Sequence, residues 1–276
     1  EAAAAKEWNT CRAWEIVDNT FQIRGGRGYE TERSLAERGE QPIGVERMLR
    51  DTRITKVFEG ASEIMHLFIA REAVDKHLQV AGSLVDPEAA MGKKLASLPG
   101  AAAFYATWYA ARWIPRSRWQ RLDPHSQDFG ILGSHMRFIE RNSRKLAREI
   151  FHGMMVYQAK LQNKQVFLFR TVDVAMELFA MACAIRRART MQAQRHEDAA
   201  NAVALADIFC KSSARKVQRI FRDLWNNDDD AKYRTALAVL DGQHAWLERG
   251  ILADGDVAYP ASLANTAEAH EHAGIK

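Results

Sequence analysis

Apolar residues recur at steps of three and four along almost the whole of this chain, and that spacing constrains its fold more than any other feature. Such a period is typical of amphipathic helices, each of which buries one face. The 276 residues include only six prolines, and 47% of them are hydrophobic, which suits helices packed around a substantial core. No segment has a convincing strand pattern. The sequence therefore predicts an all-α protein.

The periodicity divides the chain into helices separated by loops. The first predicted helix covers residues 2–21, and a glycine cluster at 25–28 ends it, because glycine tolerates the backbone of a helix end. A polar loop (30–44), a short helix (45–52) and a turn (55–60) are predicted next, with Ser62 as the cap of a further helix. Later helices are predicted from the apolar patterns over 146–161, 166–183, 203–224 and 237–247, which suit an antiparallel bundle.

Residues 91–122 differ from the rest of the chain in composition. They include no acidic side chain and six basic ones: Lys93, Lys94, Arg112, Arg116, Arg118 and Arg121. The same segment holds six aromatic residues: Phe104, Tyr105, Trp108, Tyr109, Trp113 and Trp119. Cations and interfacial aromatic rings favour contact with a membrane surface. The alternative is an aromatic-rich helix that packs on the bundle, with Pro99 and Pro115 as breaks.

The composition disfavours several classes of protein. A net charge of +4 is too mild to indicate a nucleic-acid binder, and no run of about 18 uncharged apolar residues predicts a membrane-spanning helix. Cys11, Cys183 and Cys210 are far apart, so we expect buried, reduced thiols. His66 and His77 lack a third ligand nearby, and we predict no metal site.

The first residues, Glu-Ala-Ala-Ala-Ala-Lys, already have a helical pattern and include no initiating Met. We therefore expect this chain to be the C-terminal part of a longer protein.

Two short motifs give little indication of function when each is taken alone. Gln-Ile-Arg-Gly-Gly-Arg-Gly-Tyr at 22–29 ends a helix without the preceding strand that a dinucleotide fingerprint requires, and Glu59 beside Gly60 is a common surface pattern. The ordered combination is more specific. The glycine motif, then Arg-Asp-Thr-Arg-Ile at 50–54, then Val-Phe-Glu-Gly-Ala-Ser-Glu-Ile at 57–64 resembles the C-terminal signature of the acyl-CoA dehydrogenases.

The resemblance implies a role for each matching residue. Glu59 is then the catalytic base that removes the α-proton of a fatty acyl-CoA, and the substrate site includes Phe58, Glu59 and Gly60. FAD contacts across a subunit interface are implied for Gln22, Ile23, Arg24, Gly25 and Gly26. FAD contacts within the same subunit are implied for Ala61, Ser62 and Glu63. Chemistry agrees, because an α-C–H is a weak acid and needs a base held close to it.

The chain departs from the family pattern at two places. Ala61 stands where most members have Thr, so one hydroxyl contact to flavin is missing. The segment between Tyr29 and Glu46 is longer than in short-chain members, so contacts there cannot be transferred.

The long C-terminal extension resembles the very-long-chain branch of the family. We therefore predict 1–80 as part of the catalytic helical domain, 81–130 as a basic aromatic linker, 131–253 as an additional helical bundle and 254–276 as a flexible tail.

The function implied by the resemblance is FAD-dependent dehydrogenation of long-chain acyl-CoA to trans-2-enoyl-CoA in fatty acid β-oxidation. The implied partners are an electron-transfer flavoprotein and further copies of the chain, as a homodimer or homotetramer. The implied location is the cytoplasm of a bacterium, or the mitochondrial matrix or inner membrane of a eukaryote. Two alternatives stay open: a non-catalytic module for dimerisation or membrane binding, and a DNA-binding relative.

Overall fold

The structure, a computed structural model, describes residues 1–86, 88–114 and 129–247, and most of these residues lie in helices. The helices are α1 (Ala2–Arg24), α2 (Gly26–Tyr29), α3 (Glu32–Glu37), α4 (Val45–Ile54), α5 (Ser62–Val85), α6 (Met91–Trp113), α7 (Gly133–Tyr157), α8 (Gln165–Ala193), α9 (Ala199–Asp223) and α10 (Asp229–Leu240). Short 3₁₀ helices cover Gln158–Asn163 and Ala245–Leu247. The predicted all-α class is confirmed.

Residues Glu1–Asn226 form one compact unit, and Asn227–Lys276 form a second. The described part of the second unit consists of α10 and the 3₁₀ turn at Ala245–Leu247. The division of the chain at residues 80 and 130 stays a prediction, and the predicted tail at 254–276 lies outside the described residues, as does 115–122 of the basic aromatic segment. No helix in the described ranges is long and apolar enough to cross a membrane.

Helix α8 lies at the centre of the first unit and contacts α1, α5, α7 and α9. Its side chains are apolar around much of its circumference, which is typical of a helix surrounded by others. Val174, Met181 and Ile185 are at most 1% exposed. The buried Glu177 carboxylate on α8 accepts a hydrogen bond from Lys216 Nζ on α9 at 2.5 Å. The core of the unit therefore forms around α8.

Helix α6 packs its aromatic face against α5 and α7. The rings of Tyr105 and Trp108 contact Phe151 of α7, with ring centroids 4.9 and 5.7 Å apart. The C-terminal end of α6 is held by two arginines of α7. Arg144 donates to the carbonyls of Ala111 (2.7 Å) and Ile114 (2.6 Å), and Arg148 donates to that of Arg112 (2.5 Å). These bonds satisfy carbonyls that a helix end leaves without partners.

Three local predictions were wrong. The predicted loop at 30–44 contains α3, which Thr31 caps by accepting a hydrogen bond from the Ser34 N–H, and which is anchored by the fully buried Leu35. Pro99 lies inside α6 rather than at a break. Cys183 is exposed, because it faces away from the core on α8. Cys210 is buried as predicted, and burial raises the pKa of its thiol to about 11.

A charged network joins α1, α5 and α8. The ring of His66 on α5 donates from Nδ1 to the Ser62 carbonyl at 2.7 Å and contacts the Asp173 carboxylate of α8 through Nε2 at 3.1 Å. The fully buried Glu7 of α1 lies 3.9 Å from Nδ1. A carbonyl can only accept, so both bonds form together only when the imidazole carries two protons. Burial lowers the pKa of His66, but the hydrogen bonds to Asp173 and Ser62 outweigh it, and the net pKa is raised.

We predict that His66→Gln lowers stability more in mild acid than in alkali. A raised folded-state pKa stabilises the protein below the unfolded value of about 6.5, and this contribution is lost as the pH rises through the folded-state pKa. The expected loss in free energy of unfolding is about 1–3 kcal/mol near pH 6, shrinking near pH 9. Urea denaturation of both proteins at both pH values measures it. Asp173→Asn is expected to reproduce the trend, and a loss that does not change with pH contradicts the network.

Candidate active site

Glu59 lies in the turn between α4 and α5, where the backbone is unusual. Its φ is 51°, in the left-handed region, and Gly60 follows with φ 93°. An L-residue in this region costs about 1–2 kcal/mol, so surrounding contacts must hold it. Such strain is often found at functional sites. The sequence predicted a turn at 55–60 but not the left-handed backbone conformation of Glu59.

Two hydrogen bonds hold the turn in place. Lys6 of α1 donates from Nζ to the Gly60 carbonyl at 2.6 Å, and the Ser62 N–H donates to the Lys56 carbonyl at 3.2 Å. Lys6 was not recognised from the sequence, because nothing in the local pattern shows that a residue 54 positions away contacts Gly60.

The surface around Glu59 is apolar. Val57, Phe58, Ile64 and Phe68 are between 48% and 58% exposed, and the Glu59 side chain is itself exposed. Exposed apolar side chains therefore precede and follow Glu59 in the sequence. Phe58 directly precedes Glu59, and its role at a substrate site stays a prediction.

The N-terminus of α5 directly follows the turn. Ala61 is the N-cap and Ser62 is the first helical residue, so the predicted capping role of Ser62 is wrong. The hydroxyl of Ser62 is buried and has no hydrogen-bond partner among the described residues. Neither the Glu63 nor the Ile64 backbone N–H meets an acceptor within that same part of the chain. A helix N-terminus with free donors attracts anionic and oxygen-rich groups. Ala61, Ser62 and Glu63 therefore fit an oxygen-rich cofactor such as FAD.

The second predicted cofactor segment lies at the C-terminal end of α1. Gln22 and Ile23 are exposed, Ile23 to 86%, and the chain turns at Gly25 with φ 58°. The Nε atom of Arg24 is buried without a hydrogen-bond partner among the described residues. Gly25 and Gly26 have open space where a Cβ would lie, so a flat group can approach their backbone.

One chain does not bring the two segments together. Lys6 of α1 touches Gly60, whereas Gln22 follows Lys6 by 16 positions in the same helix. At a rise of 1.5 Å per residue, this places Gln22 about 24 Å along the helix axis from Lys6. Gln22–Gly26 and Glu59–Glu63 are thus separate surfaces on one subunit.

Charged residues near these segments form pairs with one another. Arg27 donates to Glu40 at 2.5 Å, and Arg38 bridges Glu30 and Glu40. These pairs tie down the longer segment after Tyr29. On α4, Arg47 and Arg50 form exposed ion pairs with Asp51 and Glu46, whereas the Arg53 guanidinium lies over the Trp14 ring at 5.4 Å. Arg53 therefore links α4 to α1, whereas the ion pairs of Arg47 and Arg50 lie within α4.

Comparisons with known proteins match two parts of the chain. Residues 1–74 match the family model for the acyl-CoA dehydrogenase C-terminal domain. Residues 132–241 match the model for the ACAD9/ACADV C-terminal domain.

Curated relatives and a solved structure agree with these matches. The chain is 47% identical over 254 residues to the probable acyl-CoA dehydrogenase FadE10 of Mycobacterium tuberculosis, covering 91% of this chain and 38% of the relative. It is 28% identical over 226 residues to the human mitochondrial very long-chain specific acyl-CoA dehydrogenase, covering 79% and 31%. The structure of a Bacillus anthracis acyl-CoA dehydrogenase complexed with FAD shares the fold, with a TM-score of 0.54, 19% identity and coverage of 80% and 32%.

The fold and the turn thus define an all-helical chain with an acidic residue presented at a helix start. The chain belongs to the acyl-CoA dehydrogenase family, and it corresponds to the C-terminal domains of that family's proteins. It spans less than two fifths of the length of the curated relatives described above.

We predict that Gly60→Ala lowers the free energy of unfolding by about 1–2 kcal/mol, because an L-residue at φ 93° is strained. The added Cβ would also lie 2.5 Å from the Met65 sulfur, which must move. Urea denaturation measures the change. Gly82→Ala, in the same helix as Met65, is the matched control: its Cβ meets no atom within 4 Å, and its stability is expected to be unchanged or higher. Equal effects at both positions would show that the turn is not strained.

Proposed function

We propose that this chain supplies the catalytic base of an FAD-dependent acyl-CoA dehydrogenase, with Glu59 as that base. The observation that carries the proposal is the left-handed backbone at Glu59, held by Lys6 directly before the free donors of α5. A strained acidic residue beside an apolar patch and a helix N-terminus is the arrangement that α-proton removal from a flat thioester needs.

In the proposed reaction, a Glu59 carboxylate oxygen takes the α-proton of the acyl thioester. The electrons of that C–H bond form the new α,β double bond as the β-hydrogen leaves with its electron pair. FAD, when bound, supplies the hydride acceptor. The backbone N–H of Glu59 donates to the thioester oxygen and stabilises the negative charge that develops there. The small residues Gly60 and Ala61 leave room for the planar thioester.

The cofactor contacts are proposed for both segments. Ala61, Ser62 and Glu63 would hold FAD of their own subunit through the backbone amides at the start of α5 and through the Ser62 hydroxyl, which has no hydrogen-bond partner among the described residues. Gln22, Ile23, Arg24, Gly25 and Gly26 contact FAD of another copy of the chain. Gln22 lies about 24 Å along the axis of α1 from Lys6, the residue that contacts Gly60, and this supports the division. The assembly is then a homodimer or homotetramer, with an electron-transfer flavoprotein as the electron acceptor.

The match to the very-long-chain branch over 132–241 supports a long-chain acyl-CoA as substrate. The identity of 47% to a bacterial relative supports a bacterial cytoplasmic location.

We predict that Glu59→Gln in the full-length protein abolishes bleaching of the flavin by long-chain acyl-CoA while FAD stays bound. The amide keeps the size of the side chain but cannot accept the α-proton. Stopped-flow absorbance at the flavin band measures the reaction. Glu72→Gln, an exposed residue of α5 away from the turn, is the matched control and is expected to bleach normally. Normal bleaching by Glu59→Gln would refute the assignment.

A non-catalytic module is the alternative for this chain in isolation. Its visible absorption separates the two functions, because bound FAD colours the purified protein yellow. Two results together would favour the non-catalytic module: the isolated chain is colourless, and the Glu59→Gln variant of the full-length protein still bleaches normally.

Membrane contact through residues 91–122 is a second proposal, and the exposed face of α6 supports it. Met91, Leu95, Leu98 and Trp113 are between 48% and 70% exposed, and Lys93 lies on the same helix. The rings of Tyr105 and Trp108 instead face α7, as the packing alternative predicted. Arg116, Arg118, Trp119 and Arg121 lie outside the described residues.

We predict that Leu95→Glu with Leu98→Glu lowers binding to vesicles containing anionic lipid by roughly tenfold or more, because two apolar contacts are replaced by repelled charges. Vesicle sedimentation of the whole chain measures the bound fraction. Leu205→Glu with Ile208→Glu, two exposed apolar residues of α9, is the matched control. Equal losses for the two double variants would exclude a specific contact through α6.

A further inference from the structure

A cavity of about 590 Å³ lies between α5, α6, α7 and α8. Its volume falls within the range of roughly 300–1,000 Å³ that small-molecule sites occupy. The cavity is far from the catalytic turn. His77 lines it and follows Ser62 by 15 positions in α5, which corresponds to about 22 Å along the helix. The cavity is therefore a separate feature from the acyl-CoA site proposed above.

Most of the cavity wall is apolar. Leu146 and Ile150 of α7 and Leu178 and Phe179 of α8 line it, together with alanines of α7 and α8, including Ala147. The alanines leave space that larger side chains would fill. A wall of this kind favours a flexible hydrocarbon chain, because burial of apolar area is worth about 25 cal/mol per Å² without any directional partner.

The α5–α6 side of the cavity is basic. Lys76 and Arg112 both line it, and neither forms an ion pair within the part of the chain that the structure describes. The Arg112 guanidinium lies over the Trp108 ring at 5.0 Å, which fixes its position. An anion bound beside both cations would be attracted by each and would offset their mutual repulsion.

His77 adds a polar group that is 95% buried, since only 5% of it is exposed. Its Nδ1 pairs with the Tyr105 hydroxyl at 3.0 Å, and no described residue bonds its other nitrogen. Burial, and then the charge of Arg112, lower the pKa of this ring, so it is neutral near pH 7. The neutral ring can donate one hydrogen bond to an anion, beside the two cations that supply the charge.

We propose that this cavity binds a long-chain fatty acid, with the carboxylate at Lys76, Arg112 and His77 and the alkyl chain among the apolar residues of α7 and α8. The site binds this ligand without transforming it, and its existence does not depend on Glu59. The ligand class follows from the wall: an apolar cavity beside two cations, neither with an ion-pair partner among the described residues, fits a single alkyl chain that ends in an anion.

The test is calorimetric titration of the full 276-residue chain with dodecanoate below its micellar concentration. Saturable binding of one dodecanoate per chain is expected. Lys76→Gln with Arg112→Gln is expected to weaken it roughly tenfold or more, because charge-assisted contacts are lost. Lys93→Gln with Arg141→Gln, two exposed cations outside the cavity wall, is the matched control and is expected to bind as the parent does.

Ala147→Phe tests the chamber, because the added ring fills it and is expected to abolish binding. Circular dichroism establishes that each variant is folded, and if Ala147→Phe is not, the two charge variants decide. Dodecanol and dodecyltrimethylammonium are the uncharged and cationic probes. The proposal is overturned by a lack of saturable dodecanoate binding, by equal affinity for dodecanol, by equal effects of the two charge variants, or by full binding to a folded Ala147→Phe variant.

Discussion

The structure depends on the burial of α8 on nearly all sides. Helix α8 has 29 residues, and the faces toward its neighbours carry few charged side chains. Exposure of these faces to water would be unfavourable, so α1, α5, α7 and α9 cover them. The first half of the chain thereby acquires a shared core with the second half. Ala70 of α5 and Trp8 of α1 pack in the same apolar cluster as Phe167 and Val172 of α8. The helices that present Glu59 are positioned by a helix that comes more than a hundred residues later.

The sequence was sufficient for the elements whose periodicity is strong. The end of α1 at the glycine cluster, the turn before α5 and the order of α7, α8 and α9 all follow from apolar spacing and from glycine. The sequence was insufficient where a contact is long-range. The helix at Glu32–Glu37 is anchored by the buried side chain of Leu35, a long-range contact that the local pattern does not show. Pro99 lies inside α6 although proline cannot donate the backbone hydrogen bond of a helix interior. The exposure of Cys183 depends on which face of α8 its neighbours leave open.

The predicted site divides in the same way. The identity of the candidate base and of its flanking residues could be read from a short motif, since chemistry and local backbone are both encoded there. The contacts that hold this motif in place could not be read from the sequence. Lys6 of α1 donates a hydrogen bond to the turn. Near the start of α5, the carboxylates of Glu7 and Asp173 stabilise the doubly protonated ring of His66. A strained turn persists only while such distant anchors hold it.

The position of His66 has a mechanical consequence for α5. The contact with α8 fixes this helix four residues after Ser62 and eleven residues before His77, so the helix resembles a lever whose pivot lies near one end. The arm from His66 to Ser62 is about 6 Å long and the arm from His66 to His77 is about 16 Å long. A tilt about the His66 contact that displaces His77 therefore displaces Ser62 by little more than a third as much. A displacement of α5 at His77 is thus reduced at Ser62, next to the strained turn that holds Glu59.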